Sequence, residues 1–201
     1  MTDRLAIEFI CVFGMPPVEF IETAARLDCR RIGMAAAPIV SLEGLYDPWN
    51  LLSDAALRRD TAQALKDNGV SVSLGEGFLV MPGMDVAALA PALDLAAELG
   101  APVVNACCLH SELAANAEGF GRFAELAGER GLKARVEFLA GMPMGSLAMA
   151  NELVGQVGRA NAGILVDPMH LFRSGGTAAE LAATVPARIF YAQVCDLPMV
   201  S

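Results

Sequence analysis

Short apolar runs alternate with longer helical stretches along the whole 201-residue chain. The helical stretches are about ten to fifteen residues long, and Gly, Pro or Asn stand at the joints. The pattern predicts seven strands, at residues 5–13, 31–36, 70–76, 102–109, 134–139, 163–167 and 189–196, and six helices, at 17–27, 54–68, 86–99, 112–130, 146–157 and 178–183. Gly69, Gly100 and Gly131 follow predicted helices, where a left-handed residue closes the last turn. Strands separated by helices in this way are typical of a parallel sheet.

The polar residues within the strands help to choose between two parallel architectures. Arg135 and Glu137 alternate with Val136 and Phe138, and Asn105 adds a polar residue to another predicted strand. Successive side chains point to opposite faces of a strand, and strands of an open doubly wound sheet are apolar on both faces. One polar face therefore favours an α/β fold of the (β/α)8 TIM-barrel type, with an active site at the C-terminal ends of its strands.

The length of the chain is short for a complete barrel. Such a domain typically has about 250 residues, whereas this sequence ends at Ser201, just after the seventh predicted strand. We expect a single domain over residues 1–201 that is truncated after the seventh strand, with the C-terminal strand and helix missing.

Composition and charge exclude several classes of partner. The chain has 14 basic and 23 acidic side chains, a net charge of -9 and a pI near 4.7. It therefore lacks the basic character that nucleic acid or an anionic membrane surface requires. With no secretion signal or membrane-spanning segment in the sequence, we expect a cytoplasmic protein. The five cysteines, which form no C-x-x-C pair, are expected to be buried reduced thiols: Cys11, Cys29, Cys107, Cys108 and Cys195.

Three oxygen-bearing side chains stand at the C-terminal ends of consecutive predicted strands. Glu137, Asp167 and Gln193 are separated by 30 and 26 residues, each about one strand–helix unit. Neighbouring strand ends converge at the mouth of a barrel, so these oxygens are expected to surround one centre. Two carboxylates and an amide oxygen suit Mn²⁺ or Mg²⁺. His110 also ends a predicted strand and is a candidate for contacting substrate.

The segment from 135 to 196 resembles the xylose isomerase-like TIM barrel superfamily, in particular its sugar phosphate isomerase/epimerase group. The resemblance is carried by Glu137, by the run Asp167-Pro168-Met169-His170-Leu171-Phe172-Arg173-Ser174-Gly175 and by Ala192-Gln193-Val194-Cys195-Asp196. It implies that Glu137, Asp167 and Gln193 hold a divalent metal, that His170 meets oxygens of the substrate, and that Arg173 also binds substrate. The family's fourth ligand, a Glu on strand eight, would lie beyond Ser201.

The resemblance implies an isomerase or epimerase that acts on a small sugar or polyol through a metal-stabilised enediolate, with Glu137 and His170 as catalytic residues. An alternative is a metal-dependent dehydratase, a lyase acting on a cyclic hydroxy-ketone such as dehydroshikimate. Gln193 in place of His is similar to branches that include dehydroshikimate dehydratases. Pro143 stands where ketose 3-epimerases have a second Glu, which disfavours 3-epimerisation of a free ketose. A further alternative is a non-catalytic barrel fragment that needs a partner chain. Members of the family often form homo-oligomers, but the sequence defines no interface.

Simpler structural roles remain open for the central residues. Glu137 could form a core ion pair with Arg135 or Lys133, and Gln193 could be a hydrogen-bonded interior amide. Asp167 could be a cap or turn residue before Pro168, a frequent use of Asp.

Overall fold

The computed structural model describes residues 4–195, and these contain six strands and seven α-helices. The strands are β1 (Arg31–Ala35), β2 (Ser71–Val80), β3 (Val103–Cys108), β4 (Lys133–Glu137), β5 (Ala162–Val166) and β6 (Ile189–Ala192). The helices are α1 (Pro17–Arg26), α2 (Ala55–Asn68), α3 (Ala90–Glu98), α4 (Leu113–Gly128), α5 (Leu147–Val157), α6 (Pro168–Arg173) and α7 (Ala178–Ala183).

The strands are hydrogen-bonded to one another in chain order, from β1 to β6. The pairs β1–β2, β4–β5 and β5–β6 are parallel, and Val136 on β4 lies opposite Ile164 on β5. Parallel neighbours require a crossover connection, which helices provide along this chain. The predicted parallel α/β organisation is therefore confirmed.

Residues 4–195 divide into two compact units. The first comprises residues 4–77, 90–104 and 130–132, and the second comprises 78–89, 105–129 and 133–195. In the first unit, α1 packs against α2 and β1, and in the second, α4 and α5 pack against β4 and β5. The core side chains include Phe20, Ile21, Ile32 and Leu74 in the first unit, and Phe120, Phe123, Val136, Leu153 and Ile164 in the second.

Local sequence signals set several helix ends. Asp54 caps α2, because its side chain accepts a hydrogen bond from the Leu57 N–H at 2.9 Å. Gly69, Gly100 and Gly131 have φ angles of 60°, 79° and 72°, which confirms the left-handed conformation predicted for them. The helices predicted between strands are thus present, although residues 86–99 begin with a 3₁₀ turn, Val86–Leu89, before α3.

The prediction of a first strand at residues 5–13 is wrong. Only Ile7 makes a bridge, to Ile32, and Phe9–Val12 form a 3₁₀ helix. The Phe9 N–H donates to Glu76 Oε1 at 2.9 Å, and the buried Phe9 ring packs edge-on against Trp49, with the centroids 5.6 Å apart. These contacts turn the backbone out of the extended conformation.

Several other predictions are corrected. Residues 168–173 form a helix, α6, that the periodicity did not reveal, and β2 continues past residue 76 to Val80. The last strand ends at Ala192, so Gln193 follows it, and Asp196, the predicted end of that strand, lies outside the described residues.

The cysteines are only partly as expected. None of the five, all within residues 4–195, forms a disulfide, and Cys108 is buried. Cys11 and Cys195 are exposed, because one lies in the 3₁₀ turn and the other lies beyond the end of β6. Across residues 4–195, none of the helices combines the length and the apolar character that a bilayer crossing needs.

Candidate metal centre

Three of the predicted site residues come together in the second unit. Glu137 is the last residue of β4, Asp167 follows β5 directly, and His170 lies in α6. Each offers one ligand atom, and the three atoms all lie within 4.8 Å of one another. Because β4 and β5 are adjacent and parallel, their C-terminal ends bring the two carboxylates to the same edge.

Asp167 is buried and has a structural role as well. It is the N-cap of α6, and its Oδ1 accepts a hydrogen bond from the Met169 N–H at 2.7 Å. Pro168 occupies the first helical position, where its missing N–H costs no bond. The Cys195 thiol lies 3.6 and 3.5 Å from the two carboxylate oxygens. The capping role considered from the sequence is therefore real, and it coexists with a position in the cluster.

Glu137 is held by donors from the preceding strand. Asn105 Nδ2 on β3 donates to Glu137 Oε2 at 2.6 Å, and Cys107 Sγ lies 3.9 Å from the same oxygen. Arg135, which was considered as an ion-pair partner, is fully buried, and its guanidinium stacks 3.9 Å from the centroid of the Tyr191 ring. A hydrogen bond from an amide to an ionised carboxylate fixes the orientation of that carboxylate.

His170 is oriented by a backbone donor. Its Nδ1 accepts a hydrogen bond from the Ala140 N–H at 3.2 Å, so the neutral ring carries its proton on Nε2. Burial lowers the pKa of His170; the charge of Asp167 opposes this shift, and that of Arg173 adds to it. A neutral imidazole with Nε2–H is a hydrogen-bond donor, which suits contact with a substrate oxygen better than metal ligation.

Gln193 and Arg173 lie close to the cluster along the chain. The Gln193 N–H donates to the Val166 carbonyl at 3.0 Å, so the backbone of Gln193 lies beside the end of β5, next to Asp167. Arg173 is the exposed last residue of α6, one turn after His170. Both positions are compatible with the predicted roles, which stay predictions.

His110 occupies a different place. It lines a pocket of about 340 Å³ together with Met81, Asp85 and Arg122, and the three cluster residues are not among the residues that line this pocket. Its Nδ1 accepts a hydrogen bond from the Glu112 N–H at 3.1 Å. A position at the end of a strand was therefore not enough to bring His110 into the cluster.

Three side chains that were not among the predicted site residues touch the cluster: Asn105, Cys107 and Cys195. From the sequence, Asn105 was predicted only as a polar strand residue, and the cysteines only as buried reduced thiols. The sequence could have indicated the two residues of β3, because Asn105 and Cys107 are two positions apart and so share one face of that strand.

The donor set fits a divalent cation. Two carboxylates are hard oxygen ligands, and the Gln193 backbone lies beside Val166, the residue that precedes Asp167. Asn105 Oδ1 is buried next to Glu137 and has no hydrogen-bond partner among the described residues. A buried acceptor without a partner calls for an explanation, and a ligand or water bound beside the neighbouring Glu137 carboxylate would supply one.

Known proteins resemble the chain in sequence and fold. A curated relative, the 3-dehydroshikimate dehydratase of Pseudomonas aeruginosa, is 29% identical over 159 residues. This match covers 71% of the present chain but only 25% of the relative, so the chain spans about a quarter of its length.

Solved structures share the fold at low sequence identity. The IOLI protein, crystallised with a zinc atom, has a TM-score of 0.77 and 16% identity over 98% of this chain and 75% of its own. The D-allulose 3-epimerase from Methylomonas sp., in complex with D-allulose, has a TM-score of 0.73 and 20% identity over 96% of this chain and 72% of its own.

A parallel sheet whose strands follow one another in chain order, with a polar cluster at the ends of β4 and β5, is typical of the TIM-barrel class. Residues 28–201 match the sequence model of the xylose isomerase-like TIM barrel family, and the chain belongs to that family. The resemblance found in segment 135–196 and the predicted fold class are confirmed.

Proposed function

We propose that the protein is a divalent-metal-dependent enzyme that removes a proton beside the carbonyl of a small hydroxy-carbonyl compound. The observation that carries this proposal is the convergence of Glu137, Asp167 and His170, whose ligand atoms lie within 4.8 Å of one another. Carboxylates gathered at strand ends, beside an imidazole donor, provide both a cation site and groups able to move protons.

Glu137, Asp167 and Gln193 would hold the metal, for which Mn²⁺ or Mg²⁺ is the expected ion because the donors are hard oxygens. The zinc atom in the structure of the IOLI protein supports a divalent cation in this fold. When bound, the cation polarises the substrate carbonyl and stabilises the negative charge that develops as the proton leaves.

The chain's own residues then handle the proton and the substrate oxygens. Glu137 accepts the proton next to the carbonyl. His170 donates its Nε2–H to a substrate oxygen, because the neutral ring carries its proton on that nitrogen. Arg173 contributes a positive charge at the exposed end of α6 for an electronegative group of the substrate. His110 stays a prediction for substrate binding, from its separate pocket.

Two fates of the enediolate define the candidate reactions. Return of the proton to another carbon or another face isomerises or epimerises a small sugar or polyol, as in the epimerases that share the fold. Loss of a β-hydroxyl instead dehydrates a cyclic hydroxy-ketone, and the 29% identical 3-dehydroshikimate dehydratase favours this second candidate. Both reactions begin with the same proton abstraction.

Metal binding is tested by thermal unfolding with Mn²⁺. We expect Mn²⁺ to raise the melting temperature of the protein, because a ligand that binds only the folded state stabilises it. Glu137→Ala and Asp167→Ala should abolish the increase. Glu152→Ala, which removes an exposed carboxylate on α5, is the matched control and should keep it. An increase that persists in both site variants contradicts the assignment.

The reaction is tested with ketoses, cyclic polyols and 3-dehydroshikimate in D₂O. Isomerisation or epimerisation incorporates deuterium at the carbon beside the carbonyl, whereas dehydration releases water and creates a conjugated product that absorbs in the ultraviolet. If the wild-type protein binds Mn²⁺ but catalyses neither exchange nor dehydration in this panel, the enzymatic proposal is contradicted. The non-catalytic alternative then gains support.

A further inference from the structure

Asn105 donates a short hydrogen bond to Glu137 of the candidate metal centre. It lies on β3, its side chain is 7% exposed, and its Nδ2 is 2.6 Å from Glu137 Oε2. A hydrogen bond from a neutral amide to an ionised carboxylate is about twice as strong as one between neutral groups. The bond therefore restricts the rotation of the Glu137 carboxylate.

The other end of the same amide is unsatisfied. Asn105 Oδ1 is buried and has no hydrogen-bond partner among residues 4–195. Burial of an unpaired acceptor costs about 1–3 kcal/mol. A ligand or water that donates a hydrogen bond would satisfy this oxygen. The amide therefore fits a binding site better than a closely packed core, where buried polar atoms are paired.

A second buried asparagine in the same unit shows the opposite pattern. Asn116, which is 1% exposed, accepts from the His110 N–H at 2.9 Å and donates to the His110 carbonyl at 2.8 Å. Both ends of its amide are used within the fold. Asn116 thus has the contacts of a structural residue, whereas Asn105 donates to Glu137 and its buried acceptor has no partner among the described residues.

We infer that Asn105 is a positioning residue of the metal centre, where its Nδ2 holds the Glu137 carboxylate in the orientation that binds the cation. The inference rests on the proposed function and extends it to a third strand, β3. It also explains why an unpaired amide oxygen is retained in a buried position. The function of the site requires the residue, and the stability of the fold does not.

The test compares Asn105→Ala and Asn105→Val with Asn116→Ala in the full chain. Calorimetric titration with Mn²⁺ should show affinity that is lower by about 10- to 100-fold in both Asn105 variants, as for other residues that orient metal ligands. Their urea midpoints without metal should equal or exceed that of the wild type. Asn116→Ala should instead lower the urea midpoint and leave the Mn²⁺ affinity unchanged.

The visible spectrum of bound Co²⁺ reports on the arrangement of the metal ligands, and a substitution that affects only the stability of the fold leaves it unchanged. It should change in the Asn105 variants and stay the same in Asn116→Ala. If Asn105→Val fails to fold, Asn105→Ala decides the question. If the Asn105 variants bind Mn²⁺ with wild-type affinity while Glu137→Ala loses Mn²⁺ binding, the role inferred for Asn105 is overturned and the proposed function is not. Absence of Mn²⁺ binding by the wild-type protein overturns the proposed function and the inference with it.

Discussion

Asp167 performs two tasks that substitutions can separate. Its Oδ1 accepts from the Met169 N–H at 2.7 Å as the cap of α6, and its carboxylate lies in the cluster with Glu137 and His170. Asp167→Asn keeps an oxygen for the cap and removes the negative charge. Asp167→Ala removes both the oxygen and the charge.

The expected magnitudes follow from these contacts. Loss of a capping side chain costs about 0.5–2 kcal/mol, whereas Asn and Asp are nearly equivalent caps. Without metal, Asp167→Ala should therefore lower the free energy of unfolding by about 1 kcal/mol, and Asp167→Asn should change it by only about a few tenths. Both variants should lose Mn²⁺ binding, because each removes a charged oxygen ligand.

Urea denaturation in EDTA measures the first quantity, and calorimetric titration with Mn²⁺ measures the second. Asp54→Ala is the matched control, because Asp54 caps α2 through the same kind of bond, from the Leu57 N–H at 2.9 Å. It should lose about 1 kcal/mol of stability and keep the Mn²⁺ affinity. The capping argument is refuted if Asp167→Asn is as unstable as Asp167→Ala. The ligand assignment is refuted if either variant binds Mn²⁺ like the wild type.

The remaining predictions concern packing and buried groups. Gly163→Ala puts a Cβ 2.5 Å from the Phe190 ring and should lower the free energy of unfolding in urea by about 1–3 kcal/mol. Gly155→Ala in α5, where the nearest atom to the new Cβ is 3.8 Å away, should instead raise it by about 0.5–1 kcal/mol. Phe9→Ala should lower the unfolding free energy by about 3–5 kcal/mol, since the ring is 1% exposed, and a loss below about 1 kcal/mol would refute its anchoring role. Burial raises the pKa of Cys108 from 9.0 to about 12, so mass spectrometry should find it unmodified by iodoacetamide at about pH 8 while the exposed cysteines react. The contribution of the protonated Cys108 thiol to the free energy of unfolding is fully present below pH 9.0. It should be lost as the pH rises towards about 12.

The order of strands and helices was largely predictable, because it depends on periodicity and on residues at the ends of elements. Glu137 and Asp167 could be assigned to one edge from that order alone, since adjacent parallel strands end side by side. His170 required the family resemblance, because the periodicity did not reveal α6.

The failures have physical causes that lie outside the local sequence. Residues 5–13 form a short apolar run like that of a strand, but an acceptor 67 residues away, on Glu76, binds the Phe9 N–H and favours a 3₁₀ turn. His110 was predicted at a strand end and lies two residues after β3, yet both of its backbone groups bind the Asn116 side chain, and it lines a separate pocket.

The sequence by itself determined the α/β class, the order of the parallel strands, the glycine helix ends and the two carboxylates at neighbouring strand ends. These features follow from interactions within a few residues and from the repeat of strand and helix. Only the tertiary structure decided that Asn105 reaches Glu137 across 32 residues of chain, and that the Ala140 N–H places the proton of His170 on Nε2. Such contacts depend on sheet register and side-chain rotamers, which packing sets after the local elements are defined.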